Sequence, residues 1–469
     1  MDFLRIRQLP FMARRNYLIE MQHLLVWGLF AGLVEGTVSA VVVSKTFGGS
    51  NFLITVVQAT PAFANLVSLV WGALIVGRAK MPIFFSLAAA SVSATLTIAM
   101  TPDSQLGGWI FAIQICLARV FMSGVVTTRA SLWKSNYPRS HRGRITAGLQ
   151  IVRTLVSLPI ILGCGALFDF DHLAYRWFYP GVACIGAVGL LVFRRVHVRG
   201  ERRALAERSA IANGNDEDTI AEAGVVAPFS MVALVSPWQI IGRMREALRQ
   251  DPRFARYCTA QMCLGSANLM VMPVNTIVLT KVLHLSYTSS NGLLDVVPRM
   301  VTLIMLPIWA RLFDRVGVLR FRVVNSVCWA GSILFCGVGA MFAMLYDGGG
   351  WILGPALAAY GIGRVADGMA QSGGAIAWNI GHLHFAEDDK AELYMGIHVS
   401  LTGFRGLIAP FLGSFLYEIM DWGVFAVALA VSIAGLRLFK QLAKEEKLAR
   451  KAAAKSTASV SAPVSGRMG

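Results

Sequence analysis

The sequence predicts an all-α protein that crosses a membrane many times. Of its 469 residues, 55% are hydrophobic and only 15% are charged, whereas a soluble globular protein carries about a quarter charged residues. The hydrophobic residues form continuous runs of about 20, the length that an α-helix needs to cross a bilayer. Outer-membrane strands alternate apolar and polar residues instead, so this pattern excludes a membrane β-barrel.

Twelve such runs divide the chain into six spans, a polar linker and six more spans. The spans of the N-terminal half are predicted at 21–43, 52–76, 81–100, 109–127, 145–167 and 177–193. Those of the C-terminal half are predicted at 257–279, 293–310, 323–345, 351–373, 391–417 and 422–439. We therefore expect a six-helix bundle over 1–193, a cytoplasmic linker over 194–256, a second six-helix bundle over 257–440 and a partly disordered cytoplasmic tail over 441–469. The linker is too polar to span, and a helix is expected in it near 237–248.

The distribution of positive charge predicts the orientation. With both termini in the cytoplasm, the short inside loops hold twelve Lys and Arg residues and the outside loops hold three, as the positive-inside rule requires. The formal net charge of +17 has the same origin, so no nucleic-acid partner is expected. We predict a multi-pass monomer in the lipid bilayer of a plasma or inner membrane, with the linker and both termini cytoplasmic.

Neither a cofactor nor a metal ion is indicated by the sequence. The seven cysteines all lie in apolar stretches and form no Cys-x-x-Cys pair, so we interpret them as inert buried thiols. The nucleotide-binding pattern Gly-x-x-x-x-Gly-Lys-Ser/Thr does not occur. Any transport should therefore use an ion gradient or exchange.

Short patterns recur at matching positions of the two halves. Fourteen positions separate an Arg from a Trp in both the fourth and the tenth span: Arg119 and Trp133, Arg364 and Trp378. The second and eighth spans share an order of Pro, Trp and Arg: Pro61, Trp71 and Arg78 against Pro298, Trp309 and Arg315. The fifth and eleventh spans share an Arg followed by a Pro: Arg153 and Pro159, Arg405 and Pro410. These pairings indicate duplication, which is typical of transporters whose halves rock about a midplane site.

The loop after the eighth span carries a family motif. Its stretch ARLFDRVGVLR is similar to the cytoplasmic signature Gly-x-x-x-Asp-Arg-x-Gly-Arg-Arg, with Asp314, Arg315 and Gly317 in place. The first half keeps Arg78 of a second copy but has Gly77 instead of the Asp. The sequence thus resembles the major facilitator superfamily, which implies a twelve-helix transporter fold and a gating role for Asp314, Arg315, Gly317 and Arg78. The Gly-Pro-x-x-Gly-Gly signature of antiporters is absent from the fifth span. Drug efflux by antiport is therefore a less favoured function.

Polar residues inside the spans are the candidates for solute binding, because a charged group in the bilayer is retained only for a partner or a function. The deeper groups comprise four arginines against two acids. Guanidinium groups suit carboxylate and phosphate geometry, so the balance favours a small organic anion or zwitterion as the solute. The predicted substrate-binding residues are Arg119, Arg153, Arg364, Arg405, His398, Gln371 and Asn275.

Two intramembrane acids are candidates for proton coupling, Glu35 and Asp367. Glu35 has no cation in its own span, and desolvation disfavours the charged form of such a carboxyl, so it could take up and release a proton. Structural alternatives stay open. Arg364 and Asp367 could be a self-contained i, i+3 ion pair, and Arg153 could bind loop carbonyls near the cytoplasmic surface.

These observations predict a secondary active transporter that moves a small solute by alternating access, coupled to the proton gradient as in symport. It is not expected to be an enzyme, and no catalytic residue is assigned. Three alternatives remain at this stage: a drug or metabolite efflux transporter of the same fold, a non-transporting membrane sensor or assembly partner, and a membrane-embedded enzyme.

Overall fold

The computed structural model describes residues 10–75, 78–201, 205, 237–345, 352–381, 384–385 and 391–460. Helices dominate this part of the chain. In the N-terminal half they are α1 (Phe11–Glu35), α2 (Val38–Lys45), α3 (Asn51–Ile75), α4 (Lys80–Leu96), α5 (Gln105–Asn136), α6 (Arg139–Phe170) and α7 (Tyr175–Phe193). They are followed by α8 (Pro237–Gln250), α9 (Pro252–Ile277), α10 (Tyr287–Asn291), α11 (Val297–Val316), α12 (Val318–Met344), α13 (Leu353–Ile380), α14 (Ala391–Met420) and α15 (Gly423–Val460).

These helices form the twelve predicted spans. The first span is α1 followed by α2, with a break at Gly36 and Thr37. The seventh is α9 with the π turn Val278–Val282, and the eighth combines α10, the π turn Gly292–Val296 and α11. The helix expected in the linker is present as α8.

Eleven helices of the described part are long and apolar enough to cross a membrane. The tenth span, α13, is not among them, although it has 28 residues, because Arg364, Asp367 and Gln371 lower its hydropathy. Large apolar side chains such as Leu191, Ile304 and Phe415 are exposed, as expected for a surface that meets lipid rather than water.

Several helices are longer than the predicted spans. α5, for example, has 32 residues and is about 48 Å long at 1.5 Å per residue, whereas the hydrocarbon core is about 30 Å thick. The prediction followed the apolar run and ended at residue 127. The polar turns beyond it, up to Asn136, continue the same helix outside the core.

Two sides of the bundle can be distinguished. The side on which α1 begins, at Phe11, is called the terminal side below, and an even number of spans returns the chain to it. The opposite side, with the connections 46–50 and 283–286, is called the sealed side for the contacts described next.

Candidate functional site

The two halves are joined by hydrogen bonds on the sealed side. The hydroxyl oxygens of Ser44 and Thr280 are 2.7 Å apart, and the Lys45 ammonium donates to the Leu285 carbonyl at 2.8 Å. Lys281 crosses in the other direction to the Gly49 carbonyl at 2.7 Å. Five further contacts cross between the halves on this side: Thr46 with Tyr287, Thr55 with Ser414, Gln58 with Thr276, and Asp169 with the N–H groups of Tyr287 and Thr288.

The break in the first span is held from the other half. Between α1 and α2 the backbone N–H of Thr37 donates to Oδ2 of Asp295 at 2.8 Å, and Asp295 is only 7% exposed. Its other oxygen accepts from Nε of Arg299 at 3.0 Å. A β-carbon added at Gly36 would lie 2.7 Å from Asp295 Oδ2, so glycine is needed for this approach. An acid of the C-terminal half therefore caps a helix of the N-terminal half, where the dipole favours negative charge.

Arg119 binds the backbone around the same break. Its guanidinium donates to the carbonyls of Val34, Gly36 and Val57 and to the Ser39 hydroxyl. The Val57 carbonyl lacks its usual helical donor, because the residue four positions later is Pro61, which has no N–H. These bonds use four of the five N–H groups of a guanidinium. In this conformation Arg119 is committed to the protein.

Arg364 repeats this arrangement in the second half. Its Nη2 donates to the Leu294 carbonyl at 2.9 Å and its Nε to the Leu293 carbonyl at 3.1 Å. Pro298 removes the donor of Leu294 in an α-helix and that of Leu293 in a π turn. Arg364 also forms the ion pair with Asp367, Nη2 to Oδ2, at 2.8 Å. The duplication predicted from sequence thus extends to the contacts of the two arginines.

Glu35 pairs with Arg153 across α1 and α6. The side chains are 27% and 22% exposed, so neither is fully buried. The absence of a cation from the span of Glu35 does not leave it isolated, because the partner comes from another helix. Arg299 is close enough to Arg153 for their charges to interact.

A cavity of about 400 Å³ lies in the wall of the C-terminal half, next to α3. Two predicted binding residues, Arg405 and Gln371, line it. The other described lining residues are Ala62, Gln261, Leu264, Gly265, Asn268, Leu269, Arg322, Trp329, Gly374, Ala375, Trp378 and Thr402. Arg119, Arg153 and Arg364 are not among them. Of the four predicted arginines, Arg405 therefore faces the cavity, and the other three bind groups of the protein.

The Arg405 side chain passes directly over Gly265 to reach the cavity. Its Nη1 donates to the Gln261 carbonyl at 2.8 Å, and a β-carbon at Gly265 would collide with the guanidinium. Its Nε has no hydrogen-bond partner among the described residues.

Arg322 is the residue that sequence reasoning missed, because its position just before a predicted span counts as loop charge. The helix α12 begins four residues earlier, and the side chain is 1% exposed. Its Cζ lies 4.9 Å from the ring centroid of Phe439 and 5.8 Å from that of Tyr257. The Nε and Nη2 atoms have no partner in the described part of the chain. The one sequence signal for Arg322 is that the helix of the ninth span can extend towards its N-terminus and so include this residue.

The remaining predicted binding residues lie outside the cavity wall. His398 packs against Trp378, with ring centroids 5.7 Å apart. Asn275 is 3% exposed and stands in α9 next to Thr276, which accepts from Gln58 of the other half at 2.7 Å.

The predicted gating residues lie on the terminal side. Asp314, Arg315 and Arg78 are exposed. Gly317 links α11 to α12 with a φ of 75°, a left-handed conformation that favours glycine. This turn conformation is a structural reason for the glycine at position 317 of the motif.

Twelve spans in two repeats, with a cavity lined by residues of these helices, are the architecture of a membrane transporter. The sequence matches the Major Facilitator Superfamily over residues 24–364 and 257–466. The chain belongs to this superfamily, which confirms the predicted family and the twelve-helix fold, and it is a transporter rather than an enzyme. As a multi-pass membrane protein of this fold, it acts on a small-molecule substrate.

Solved structures share the fold at low identity. A POT family transporter in complex with a thioalcohol-conjugated peptide superposes with a TM-score of 0.65 at 12% identity, covering 93% of this chain and 99% of that one. A mutant of the nucleoside transporter NupG gives 0.63 at 11% identity, with 91% and 99% covered. The inward-open xylose transporter XylE from E. coli gives 0.59 at 11% identity, with 91% and 96% covered. No curated protein matches the sequence.

Proposed function

We propose that the chain is a secondary active transporter that moves a small solute by alternating access. What supports this is the asymmetry of the bundle: the described hydrogen bonds between the halves lie on the sealed side, and the cavity lies in the wall of the C-terminal half, next to α3 of the other half. The bias of loop charge assigns the sealed side to the outside. The conformation is then one in which the outer side is closed.

The proposed solute is a small organic anion or zwitterion. One observation carries this proposal: Arg405 lines the cavity together with a second arginine, and the described lining residues include no acid. Arg119 and Arg364 are less favoured as substrate-binding residues, because their N–H groups donate to backbone carbonyls. Arg153 can bind a solute only when Glu35 releases it.

The proposed coupling ion is the proton, in symport with the solute. Glu35 and Asp367 each balance an arginine of their own half, Arg153 and Arg364. Protonation of either carboxyl removes one member of a pair and leaves an unbalanced cation, which a solute anion can compensate. Proton and anion uptake would then favour each other.

Flux measurements in proteoliposomes test the proposal. With an imposed pH gradient, we expect wild-type protein to concentrate an organic anion, and Glu35→Gln and Asp367→Asn to bind it without concentrating it. Asp103→Asn, an exposed acid in the 101–104 connection, is the matched control and should transport normally. Accumulation with unchanged pH dependence in both variants would remove these carboxyls from coupling. Failure of every tested anion, zwitterion and neutral solute to cross would remove the transport proposal.

A further inference from the structure

The cavity of the C-terminal half contains two guanidinium groups with unused donors. Arg322 is almost completely buried, and its Nε and Nη2 have no hydrogen-bond partner in the described part of the protein. Nε of Arg405 also has no hydrogen-bond partner in the described part of the protein. Leaving a buried polar donor unpaired is unfavourable. Two such arginines in one wall therefore indicate an acceptor that is supplied by a ligand.

The charges of these arginines reinforce each other. Arg322 and Arg405 line the same cavity, where their like charges repel each other, and no described carboxylate acts on either of them. Elsewhere in the bundle the intramembrane arginines pair with acids or bind backbone carbonyls. An oxyanion between the two would relieve the repulsion and accept several charge-assisted hydrogen bonds.

The rest of the wall is apolar or uncharged. Trp329 and Trp378 supply flat aromatic surface, Leu264 and Leu269 add aliphatic surface, and Gln371 is one of four uncharged polar residues in the described lining. The volume of about 400 Å³ is within the range of roughly 300–1,000 Å³ that small-molecule sites occupy. The described wall offers no acid that could balance an amino group.

We propose that Arg322 and Arg405 bind the oxyanion head of an amphipathic organic acid, a carboxylate or phosphoryl group, while Trp329 and Trp378 pack against its apolar body. This rests on the proposed transport function and narrows it, because the described wall fits an anion better than a zwitterion. The preference for planar oxyanions follows from the fork of the guanidinium group.

Thermal shifts of the purified full-length protein in detergent test the ligand class. Benzoate, phenyl phosphate, phenylalanine and benzylamine share one aromatic ring and differ in charge. A ligand that binds the folded state raises the unfolding temperature. We expect shifts with benzoate or phenyl phosphate, and the larger of the two identifies the head group. We expect a smaller shift with phenylalanine and none with benzylamine.

Variants tie the shift to the two arginines. Arg322→Gln and Arg405→Gln should abolish it, and Arg322→Lys should weaken affinity about tenfold or more, because an ammonium cannot reproduce the planar fork. Arg320→Gln is the matched control, since Arg320 is exposed on the same helix. If Arg322→Gln does not fold, Gly265→Ala serves instead: its β-carbon displaces Arg405 without changing charge. Gly331→Ala, which meets open space, is its control.

The outcomes separate this inference from the transport proposal. A shift that survives in Arg322→Gln and Arg405→Gln, or one caused by benzylamine and not by the acids, overturns the arginine site. Flux of a solute in proteoliposomes without oxyanion binding overturns the site and leaves transport intact. Oxyanion binding that depends on both arginines supports the site even if flux fails.

Discussion

At the residue scale, Pro61 and Arg119 form a pair in which one residue removes a hydrogen bond and the other replaces it. Lipid offers no donor for a carbonyl left open by proline, and Arg119 donates to that of Val57. Pro298 and Arg364 stand in the same relation to Leu294. Because both pairs occupy matching places in the repeat, backbone satisfaction explains these arginines without a solute.

We expect Arg119→Lys to lower the unfolding temperature of the purified protein, because one ammonium cannot reach the carbonyls of Val34, Gly36 and Val57 together. Each buried acceptor left unpaired costs about 1–3 kcal/mol. Pro61→Ala restores an N–H for Val57 and should recover part of the loss in the Arg119→Lys background. A double-mutant cycle on unfolding midpoints measures this coupling. Strictly additive effects would refute the pairing.

Individual site residues could be predicted from sequence only in part. Hydropathy marks Arg405 and Gln371 because charge and amide groups interrupt an apolar run, and both line the cavity. It cannot show that Arg153 meets Glu35, since ion pairs between helices depend on packing. It also misplaces Arg322, because a buried arginine near a helix end looks the same as loop charge.

At the scale of elements, the break between α1 and α2 is the point where the halves hold each other. Arg119 satisfies carbonyls at the end of α1, and Asp295 of the other half accepts the Thr37 N–H before α2. The charged residues that act around Asp295 are Arg299, Arg119, Arg364 and Asp367. The contact links the first and eighth spans, and its loss would loosen the sealed side.

Gly36→Ala tests this link without changing a charge. The new β-carbon would lie 2.7 Å from both Asp295 Oδ2 and the Gly32 carbonyl oxygen, so the carboxylate and the end of α1 must move apart and the sealed side should open more often. The measurement is the rate at which an impermeant maleimide labels a cysteine introduced at Thr280. We expect faster labelling in Gly36→Ala than in the control Gly292→Ala, where no atom lies within 4 Å. Equal rates in the two variants would argue against a gating role for Asp295.

The helices themselves were largely predictable, because a bilayer demands continuous apolar runs of a set length. The twelve spans were found this way, and their polar ends were not, since a helix can continue beyond the lipid. The break at Gly36 and Thr37 was also not predicted. It contains no proline, and the Arg119 and Asp295 contacts that stabilise it come from distant parts of the chain.

At the scale of the whole molecule, the described contacts between the halves differ between the two sides. The hydroxyl, amide and lysine contacts of the sealed side are individually modest and polar, so they can exchange with water when the halves separate. One apolar cluster contains buried side chains of both halves, such as Tyr179 and Tyr287, and α3 packs along α14, where the halves can pivot. This distribution fits two rigid bundles that rock, with a low barrier at the sealed side.

A disulfide across the sealed side should stop that motion. The hydroxyl oxygens of Ser44 and Thr280 are 2.7 Å apart, so Ser44→Cys with Thr280→Cys places two thiols within bonding reach. In a background lacking the seven native cysteines, we expect oxidation to abolish flux in proteoliposomes and reduction to restore it. Each single-cysteine variant is a control that should transport under both conditions. Because Arg322 and Arg405 lie outside the cross-link, the oxidised protein should still bind an organic acid from the terminal side. Undiminished flux in the fully cross-linked protein would show that the sealed side need not open, and alternating access at this gate would be wrong.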